Sequence, residues 1–279
     1  MLASETLQYT GSFKFRAAFN VASHVKQAHI ISASSGNFGQ AIAYACSLFG
    51  KRCTVVMPST APRIKVDAVR DYGAEVDLID VKKKGRLARI AELAEQFPDA
   101  YVASPYDDAL VIEGNASLAH ELFELGLGLD VIIAPIGGGG LTSGLVKAVQ
   151  ESGGSTQVFA AEPTLANDAA ESFRAGHIVA RADESTTIAD GARVLRVGDR
   201  NWEILSKGLT GVIEVSEEEI KEGVRLLFAL ANLKAEPTGA LPVGALLAEP
   251  SRFKGKRVCC VISGGNADPA QYAQLVRGI

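Results

Sequence analysis

The sequence predicts an α/β fold in which a parallel β-sheet is covered by helices on both faces. Short apolar runs alternate with longer stretches of helical periodicity, as in the run at 29–33 and the helix-like stretch at 38–50. The apolar runs contain few polar residues, which is typical of parallel strands buried on both faces. In such sheets ligands bind at the carboxyl ends of the strands, so the loops after the strands are the candidate functional regions.

The predicted elements follow the same alternation along the chain. Strands are expected at 29–33, 53–57, 74–80, 101–104, 130–136, 156–163 and 257–263. Helices are expected at 38–50, 62–73, 86–97, 115–126 and 141–152, and another helix begins at Lys14. A small domain at 25–105 is predicted to be inserted in a larger domain formed by 1–24 and 106–279.

Composition and charge exclude several classes of protein. The 279 residues carry a formal net charge of −4, which argues against a surface for nucleic acid or for an anionic membrane. The sequence contains no run of 18 apolar residues, and its first residues lack the basic and apolar regions of a signal peptide, so we expect neither a membrane span nor a secretory signal. Its four cysteines lack the spacing of metal ligands, so we expect free thiols and a cytoplasmic protein.

Lys14 stands in an unusual position for a lysine. It lies between Phe13 and Phe15 at the start of a predicted helix, and Ser12 is placed to cap that helix. The helix dipole opposes a cation in the first turn, and the two aromatic neighbours would exclude water from it. Both effects disfavour the charged ammonium, as a nucleophilic lysine that forms imines requires. The alternative interpretation is a surface lysine whose stem covers aromatic side chains.

Three loops after predicted strands are rich in glycine and polar residues. The segment S-S-G-N at 34–37 offers hydroxyls, an amide and backbone N–H groups at a helix N-terminus. Four glycines at 137–140 separate a strand from a helix, so the backbone there can close around an anion. The segment S-G-G-N at 263–266 again follows a strand, although a tight turn is the alternative for each loop. A phosphate-bearing aldehyde cofactor would explain the lysine and the loops together.

These motifs resemble those of the fold-type II pyridoxal-phosphate enzymes, specifically the serine/threonine dehydratase and serine racemase family. The matching segments are T-G-S-F-K-F-R at 10–16, S-S-G-N-F-G-Q-A at 34–41, G-G-G-G-L-T-S-G at 137–144 and V-I-S-G-G-N-A-D at 261–268. The resemblance implies two open, twisted, mostly parallel sheets covered by helices, in the tryptophan synthase β-like fold. It also implies a small domain inserted in a larger one.

The resemblance assigns a role to each matching residue. The implied contacts of pyridoxal 5′-phosphate are Phe13 at the ring, Asn37 at the 3′-oxygen, Gly137, Gly138, Gly139, Gly140 and Leu141 at the phosphate, and Ser263 at the pyridine nitrogen. Lys14 would form the imine with the cofactor and move the α-proton of the substrate. Ser35 would act on the opposite face of the substrate Cα, as a racemase requires.

A second resemblance concerns a divalent cation. The segment A-A-E-P-T-L-A-N-D at 160–168 is similar to the cation site of the family, which implies Glu162, the carbonyl of Ala166 and Asp168 as oxygen ligands. Such ligands would suit Mg²⁺, Ca²⁺ or Mn²⁺. The alternative is that the two carboxylates only cap neighbouring elements.

The implied activity is that of an ammonia-lyase. It would convert a small β-hydroxy amino acid (serine, threonine or 3-hydroxyaspartate) to a keto acid and ammonia. The alternatives are an amino-acid racemase that uses Lys14 and Ser35, and an inactive binding protein that keeps the fold. We expect a homodimer whose ligand is a small amino acid, with neither nucleic acid nor membrane as a partner.

The sequence departs from the family pattern at three places. Only 13 residues precede Lys14, where family members carry several dozen, so we expect an N-terminally truncated chain. The segment E-G-N-A-S at 113–117 stands where the family has G-Q-G-T. Ala17 and Phe38 replace a common glycine and a common histidine, and neither change removes a chemical group that the mechanism needs.

Overall fold

The computed structural model describes residues 1–278 and divides the chain into two compact units, each built on its own sheet. The large unit comprises Met1–Phe13 and the chain from Asn115 onward, and the small unit comprises Lys14–Gly114. The small unit therefore begins earlier and ends later than the predicted domain at 25–105. The reason is local, because the helix after Lys14 packs against the helix that follows the S-S-G-N segment.

The strands are β1 Leu2–Ser4, β2 His29–Ala33, β3 Arg52–Pro58, β4 Glu75–Ile79, β5 Tyr101–Ala103, β6 Val131–Pro135, β7 Gln157–Pro163, β8 Gly211–Val215 and β9 Val258–Ile262. The α-helices are α1 Lys14–His24, α2 Asn37–Leu48, α3 Arg63–Asp71, α4 Arg86–Gln96, α5 Ala109–Glu124, α6 Gly140–Ser152, α7 Asp168–Ala175, α8 Asp199–Gly208, α9 Glu217–Ala231, α10 Pro237–Ala248, α11 Pro250–Phe253 and α12 Pro269–Arg277.

The sheet of the small unit has the strand order β4-β3-β2-β5, and all its pairs are parallel. Side chains of α1 and α2 cover one face, where Phe38 and Ile42 are almost completely buried. On the other face Ile31 of β2 and Val56 of β3 pack against Leu93 of α4. Burial on both faces explains why these strands are continuous apolar runs.

The sheet of the large unit has the order β1-β9-β6-β7-β8, and it is also entirely parallel. One face is covered by α5, α6 and α8, and the other by α9, α10 and α12. The prediction of two parallel sheets covered by helices is therefore confirmed. No helix within residues 1–278 is long and apolar enough to cross a membrane.

Helix α5 differs most from its predicted bounds. The sequence predicts a helix at 115–126, whereas α5 begins at Ala109. The carboxylate of Asp108 accepts a hydrogen bond from the backbone N–H of Leu110 at 2.8 Å, which stabilises an earlier first turn. Because the small unit ends at Gly114, the first six residues of α5 belong to the small unit and the rest to the large one.

Candidate active site

The small unit holds the amine of Lys14 at the carboxyl edge of its sheet. Lys14 is the first residue of α1, and its Nζ donates a hydrogen bond to the carbonyl of Pro105 at 2.6 Å. Pro105 follows β5, which pairs with β2 directly before the S-S-G-N segment. The ring of Phe38 lies 5.7 Å from Nζ, close enough for a cation–π contact. The structure therefore brings Lys14 together with the loop after β2.

The prediction that Ser12 caps α1 is wrong. The hydroxyl of Ser12 is buried and has no hydrogen-bond partner among residues 1–278. An unpartnered buried hydroxyl is costly, so its environment favours a ligand that offers a hydrogen bond.

The S-S-G-N segment forms the turn between β2 and α2. The hydroxyl of Ser34 accepts a hydrogen bond from the N–H of Gly36 at 3.3 Å. Helix α2 begins at Asn37, and its N-cap residue Gly36 makes no side-chain capping bond. Ser35 therefore does not cap α2, and both Ser35 and Asn37 are half-buried at this turn.

The four glycines of the large unit, 137–140, connect β6 to α6 and form a buried cradle of backbone groups. Gly139 has a φ of 97°, a left-handed conformation that favours glycine. The backbone N–H groups of Gly138, Gly140 and Leu141 find no protein acceptor within residues 1–278. Buried donors normally have partners, so this loop has the composition and geometry of an anion site at a helix N-terminus.

Residues from α8 and the turn before it support this glycine loop. The side-chain Nδ2 of Asn201 donates to the carbonyl of Gly138 at 2.8 Å, and the N–H of Gly198 donates to the same oxygen at 3.1 Å. Neither residue is predictable from the sequence, because the segment at 198–201 has no glycine-rich or strand-end pattern that would mark it.

Ser263 follows β9, whose neighbour in the sheet is β6, so it lies at the same sheet edge as the glycine loop. Ser263 is almost completely buried, and its carbonyl accepts a hydrogen bond from the N–H of Phe13 at 2.9 Å. Ser12 forms an isolated antiparallel bridge with Gly264. The structure thus brings Ser12, Phe13, Ser263 and the glycine loop to one edge of the large unit.

A second cluster in the large unit contains two buried carboxylates. Glu162 accepts hydrogen bonds from the N–H groups of Ala169 and Ala170 at 3.0 and 2.8 Å. Both carboxylate oxygens of Asp168 are buried without a partner among residues 1–278. Burial and then the Asp168 charge hold the pKa of Glu162 well above its ordinary value, and burial raises the pKa of Asp168 to about 7.

The chemistry of these groups fits the two ligands that the family resemblance implies. The unpartnered N–H groups of the glycine loop fit a phosphate, and the buried serines Ser12 and Ser263 fit a polar ring beside it. A hard divalent cation at Asp168 and Glu162 would favour the charged form of both carboxylates, which burial alone disfavours. In the described part of the chain no group of three or more histidine, cysteine or acidic side chains surrounds a metal position. A cation there would therefore also need carbonyl and water oxygens.

Comparison with known protein families identifies the family of this chain. A family model described as pyridoxal-phosphate dependent enzyme matches residues 2–264 of the chain. The chain therefore belongs to the family of pyridoxal-phosphate-dependent enzymes.

Individual relatives belong to the same branch as the resemblance noted in the sequence. The chain is 37% identical to an L-threo-3-hydroxyaspartate ammonia-lyase from Pseudomonas sp., over 98% of this chain and 86% of that protein. It is 36% identical to a serine racemase from Schizosaccharomyces pombe, over 98% of this chain and 85% of the relative. A crystal structure of serine racemase from Dictyostelium discoideum has a TM-score of 0.89 and 36% identity, and the match covers 96% of this chain and 88% of that one. The fold-type II resemblance is thus confirmed.

Proposed function

We propose that this chain is an ammonia-lyase that uses pyridoxal 5′-phosphate to convert a small β-hydroxy amino acid to a keto acid and ammonia. The observation that carries the proposal is the amine of Lys14, held at a sheet edge by the carbonyl of Pro105 at 2.6 Å. Relatives with 35–37% identity that are named hydroxyaspartate ammonia-lyase or threonine dehydratase support the reaction class.

The proposed cofactor contacts are those implied by the family resemblance. The N–H groups of the loop from Gly137 to Leu141 bind the phosphate, and the helix dipole of α6 adds a favourable field. Ser263 would face the pyridine nitrogen, Phe13 would pack beside the ring, and Asn37 would bind the 3′-oxygen. When bound, the cofactor supplies an electron sink for the negative charge that develops at the substrate Cα.

The catalytic role of Lys14 is proton transfer at the substrate Cα. Its Nζ accepts the α-proton, while the hydrogen bond to Pro105 limits the positions that the amine can take. Cleavage of the bond between Cβ and the hydroxyl, with a proton delivered to the leaving oxygen, releases water. Hydrolysis of the released enamine then gives the keto acid and ammonia.

A divalent cation is proposed at Glu162, the carbonyl of Ala166 and Asp168. The buried and unpartnered Asp168 carboxylate supports this site, and the all-oxygen ligands suit Mg²⁺, Ca²⁺ or Mn²⁺. Its role would be to stabilise the large unit around α7. The homodimer and the cytoplasmic location expected from the sequence stay predictions.

Racemisation is the second candidate function, and one observation favours it. Ser35 does not cap α2, so its hydroxyl has no evident structural task in that helix. The 36% identity to a serine racemase supports the same activity. A base on each face of the Cα would allow the α-proton to be exchanged in both directions.

The test is an assay of both products. L-Serine, L-threonine and L-threo-3-hydroxyaspartate are supplied with pyridoxal 5′-phosphate and Mg²⁺, and keto acid and the D-enantiomer are measured. The lyase proposal expects keto acid from the native chain and none from Lys14→Ala. Racemisation predicts a D-enantiomer that disappears in Ser35→Ala while keto acid remains. Absence of keto acid with all three substrates, in protein that has bound the cofactor, would refute the lyase proposal.

A further inference from the structure

Asn201, in the first turn of α8, makes direct contact with the glycine loop. Its side chain is 0% exposed, and its Nδ2 donates to the carbonyl of Gly138 at 2.8 Å. The N–H of Gly198 donates to the same oxygen at 3.1 Å. A carbonyl oxygen has two lone pairs, so these two donors use its full capacity. The carbonyl of Gly138 is therefore fixed toward α8.

The other end of the same peptide group is fixed as well. The N–H of Gly139 donates to the carbonyl of Ile136 at 2.8 Å. Because the peptide group is planar, hydrogen bonds at its C=O and its N–H together define its orientation. The N–H groups of Gly138 and Gly140 lie in the two adjoining peptide groups, joined to this one at the Cα atoms of Gly138 and Gly139, and within the described chain they have no protein acceptor.

Packing also holds Asn201 against the loop. A Cβ added at Gly139 would lie 2.9 Å from the Cβ of Asn201 and 3.0 Å from Cδ1 of Leu205. The left-handed turn at Gly139 thus packs directly against α8. Asn201 therefore both fills this space and donates to the carbonyl of Gly138.

We propose that Asn201 is a positioning residue for the phosphate of the cofactor. It acts on the orientation of the 138–139 peptide, and it thereby sets the N–H groups that receive the phosphate. The inference rests on the proposed phosphate role of the glycine loop and extends it to a residue outside the motif. Asn201 is assigned no contact with the substrate or with the reacting atoms.

The predicted effect is specific to the phosphate group. Asn201→Leu keeps roughly the side-chain size but leaves the carbonyl of Gly138 with one donor. Asn201→Asp also removes the donor and places a carboxylate beside a carbonyl oxygen and near the expected phosphate. Both changes should weaken the binding of pyridoxal 5′-phosphate, whereas neither removes the amine that reacts with an aldehyde.

The experiment compares two aldehydes that differ only in the phosphate. Dissociation constants for pyridoxal 5′-phosphate and for pyridoxal are measured by the absorbance of the adduct with the full chain. Asn201→Leu should raise the constant for pyridoxal 5′-phosphate at least about tenfold and change that for pyridoxal less than about twofold. Asn201→Asp should have an equal or larger effect of the same kind.

Thr156→Val is the matched control. The hydroxyl of Thr156 also donates to a backbone carbonyl, that of Leu129 at 2.9 Å, but at the amino ends of β6 and β7. Thr156→Val should leave the dissociation constants for both aldehydes within about twofold of the native values. Circular dichroism of each variant establishes that it is folded.

Other results would overturn the proposal. Equal losses of affinity for both aldehydes would mean that Asn201 supports the fold in general and not the phosphate site. Unchanged dissociation constants would mean that it has no role in cofactor binding. Failure of both Asn201 variants to fold would likewise make it a purely structural residue. Because the readout is aldehyde binding, a native chain that binds the cofactor but releases no keto acid would refute the proposed function and leave this test intact.

Discussion

Gly139 illustrates at the scale of a single residue why the glycine loop requires glycine. Its φ of 97° disfavours any side chain, and an added Cβ would contact Asn201 at 2.9 Å. The sequence indicates an anion cradle from four glycines in a row, but it does not reveal that Asn201 supports them. Pro105 is missed for the same reason, since its contact with Lys14 joins positions 91 residues apart. The sequence predicts which residues form the motifs. The residues that support them are distant in sequence, so they can be identified only from the tertiary fold.

Gly139→Ala should weaken both cofactor binding and stability. Backbone strain at a left-handed position costs about 1–3 kcal/mol, and the new Cβ would displace the loop from α8. We expect a loss of at least about tenfold in affinity for pyridoxal 5′-phosphate, measured by titration of the visible absorbance. The control is Gly153→Ala at the end of α6, where φ is 63° and no atom lies within 4 Å of the added Cβ. That control should lose stability without losing affinity.

The cysteines allow a second test at the residue scale. Burial holds the pKa of the Cys259 thiol above its ordinary value and raises the pKa of Cys260 to about 12. Since only the thiolate reacts readily, a thiol reagent at pH ~8 should modify neither residue in the folded protein. Both should react after unfolding in urea. Because the folded Cys260 resists ionisation, its contribution to stability is present below pH ~8.5 and declines as the pH rises toward the folded pKa. Rapid reaction of Cys259 or Cys260 with the reagent in the folded protein would contradict this account.

At the scale of elements, strands of the small unit are the most predictable part of the fold. Their bounds fall within one residue or two of the predicted ones, because both faces are buried and the apolar runs are continuous. The sequence does not predict helix α10. Its residues, Pro237–Ala248, are almost all apolar, so the segment has no amphipathic period. It packs closely on α9, where an added Cβ at Gly223 would lie 3.0 Å from the carbonyl of Ala240.

The contact between α1 and the first part of α5 yields a prediction for the position of Lys14. A Cβ added at Gly114 would lie 2.6 Å from the carbonyl of Arg16 and 2.8 Å from the Cα of Ala17. Gly114→Ala should therefore displace the first turn of α1, cost about 1–3 kcal/mol in the free energy of unfolding, and slow the reaction of Lys14 with the cofactor. Urea unfolding and stopped-flow absorbance measure the two effects.

Gly85→Ala provides the matched control in the same unit. Gly85 precedes α4, has an ordinary negative φ, and has no atom within 4 Å of the added Cβ. Because Gly85 is the N-cap residue of α4, this variant should lower stability by no more than about 1 kcal/mol, and it should leave the reaction rate unchanged. Equal rates in Gly114→Ala and the native chain would show that α5 does not position α1.

For the whole molecule, the sequence motifs predict the family correctly, and they place the proposed site at the carboxyl edges of the sheets. The two-unit division is less predictable, because its boundaries depend on which neighbours α1 and α5 contact. The buried carboxylates of Glu162 and Asp168 should make the free energy of unfolding depend on pH and on a bound cation. Asp168 has no protein partner for either oxygen in the described chain, so its charge destabilises the folded state unless a cation is bound.

Divalent cations should therefore stabilise the molecule. A cation at about 100 times its dissociation constant adds about 2.7 kcal/mol, so the melting temperature should rise with Mg²⁺ or Ca²⁺ and fall with a chelator. Asp168→Asn should abolish this response and should be at least as stable as the native chain in chelator, because it removes a buried charge. The exposed Asp183→Asn serves as the control and should respond like the native chain. An unchanged cation response in Asp168→Asn would contradict the assignment.

The most direct test of the account is to locate the cofactor on the chain. The protein is incubated with pyridoxal 5′-phosphate, reduced with borohydride, digested and mapped by mass spectrometry. The account predicts one phosphopyridoxyl group on the peptide that contains Lys14, and no adduct in that peptide after Lys14→Ala. Attachment mainly to another lysine, or no adduct in folded protein, would contradict the claim that Lys14 is the reactive amine of this enzyme.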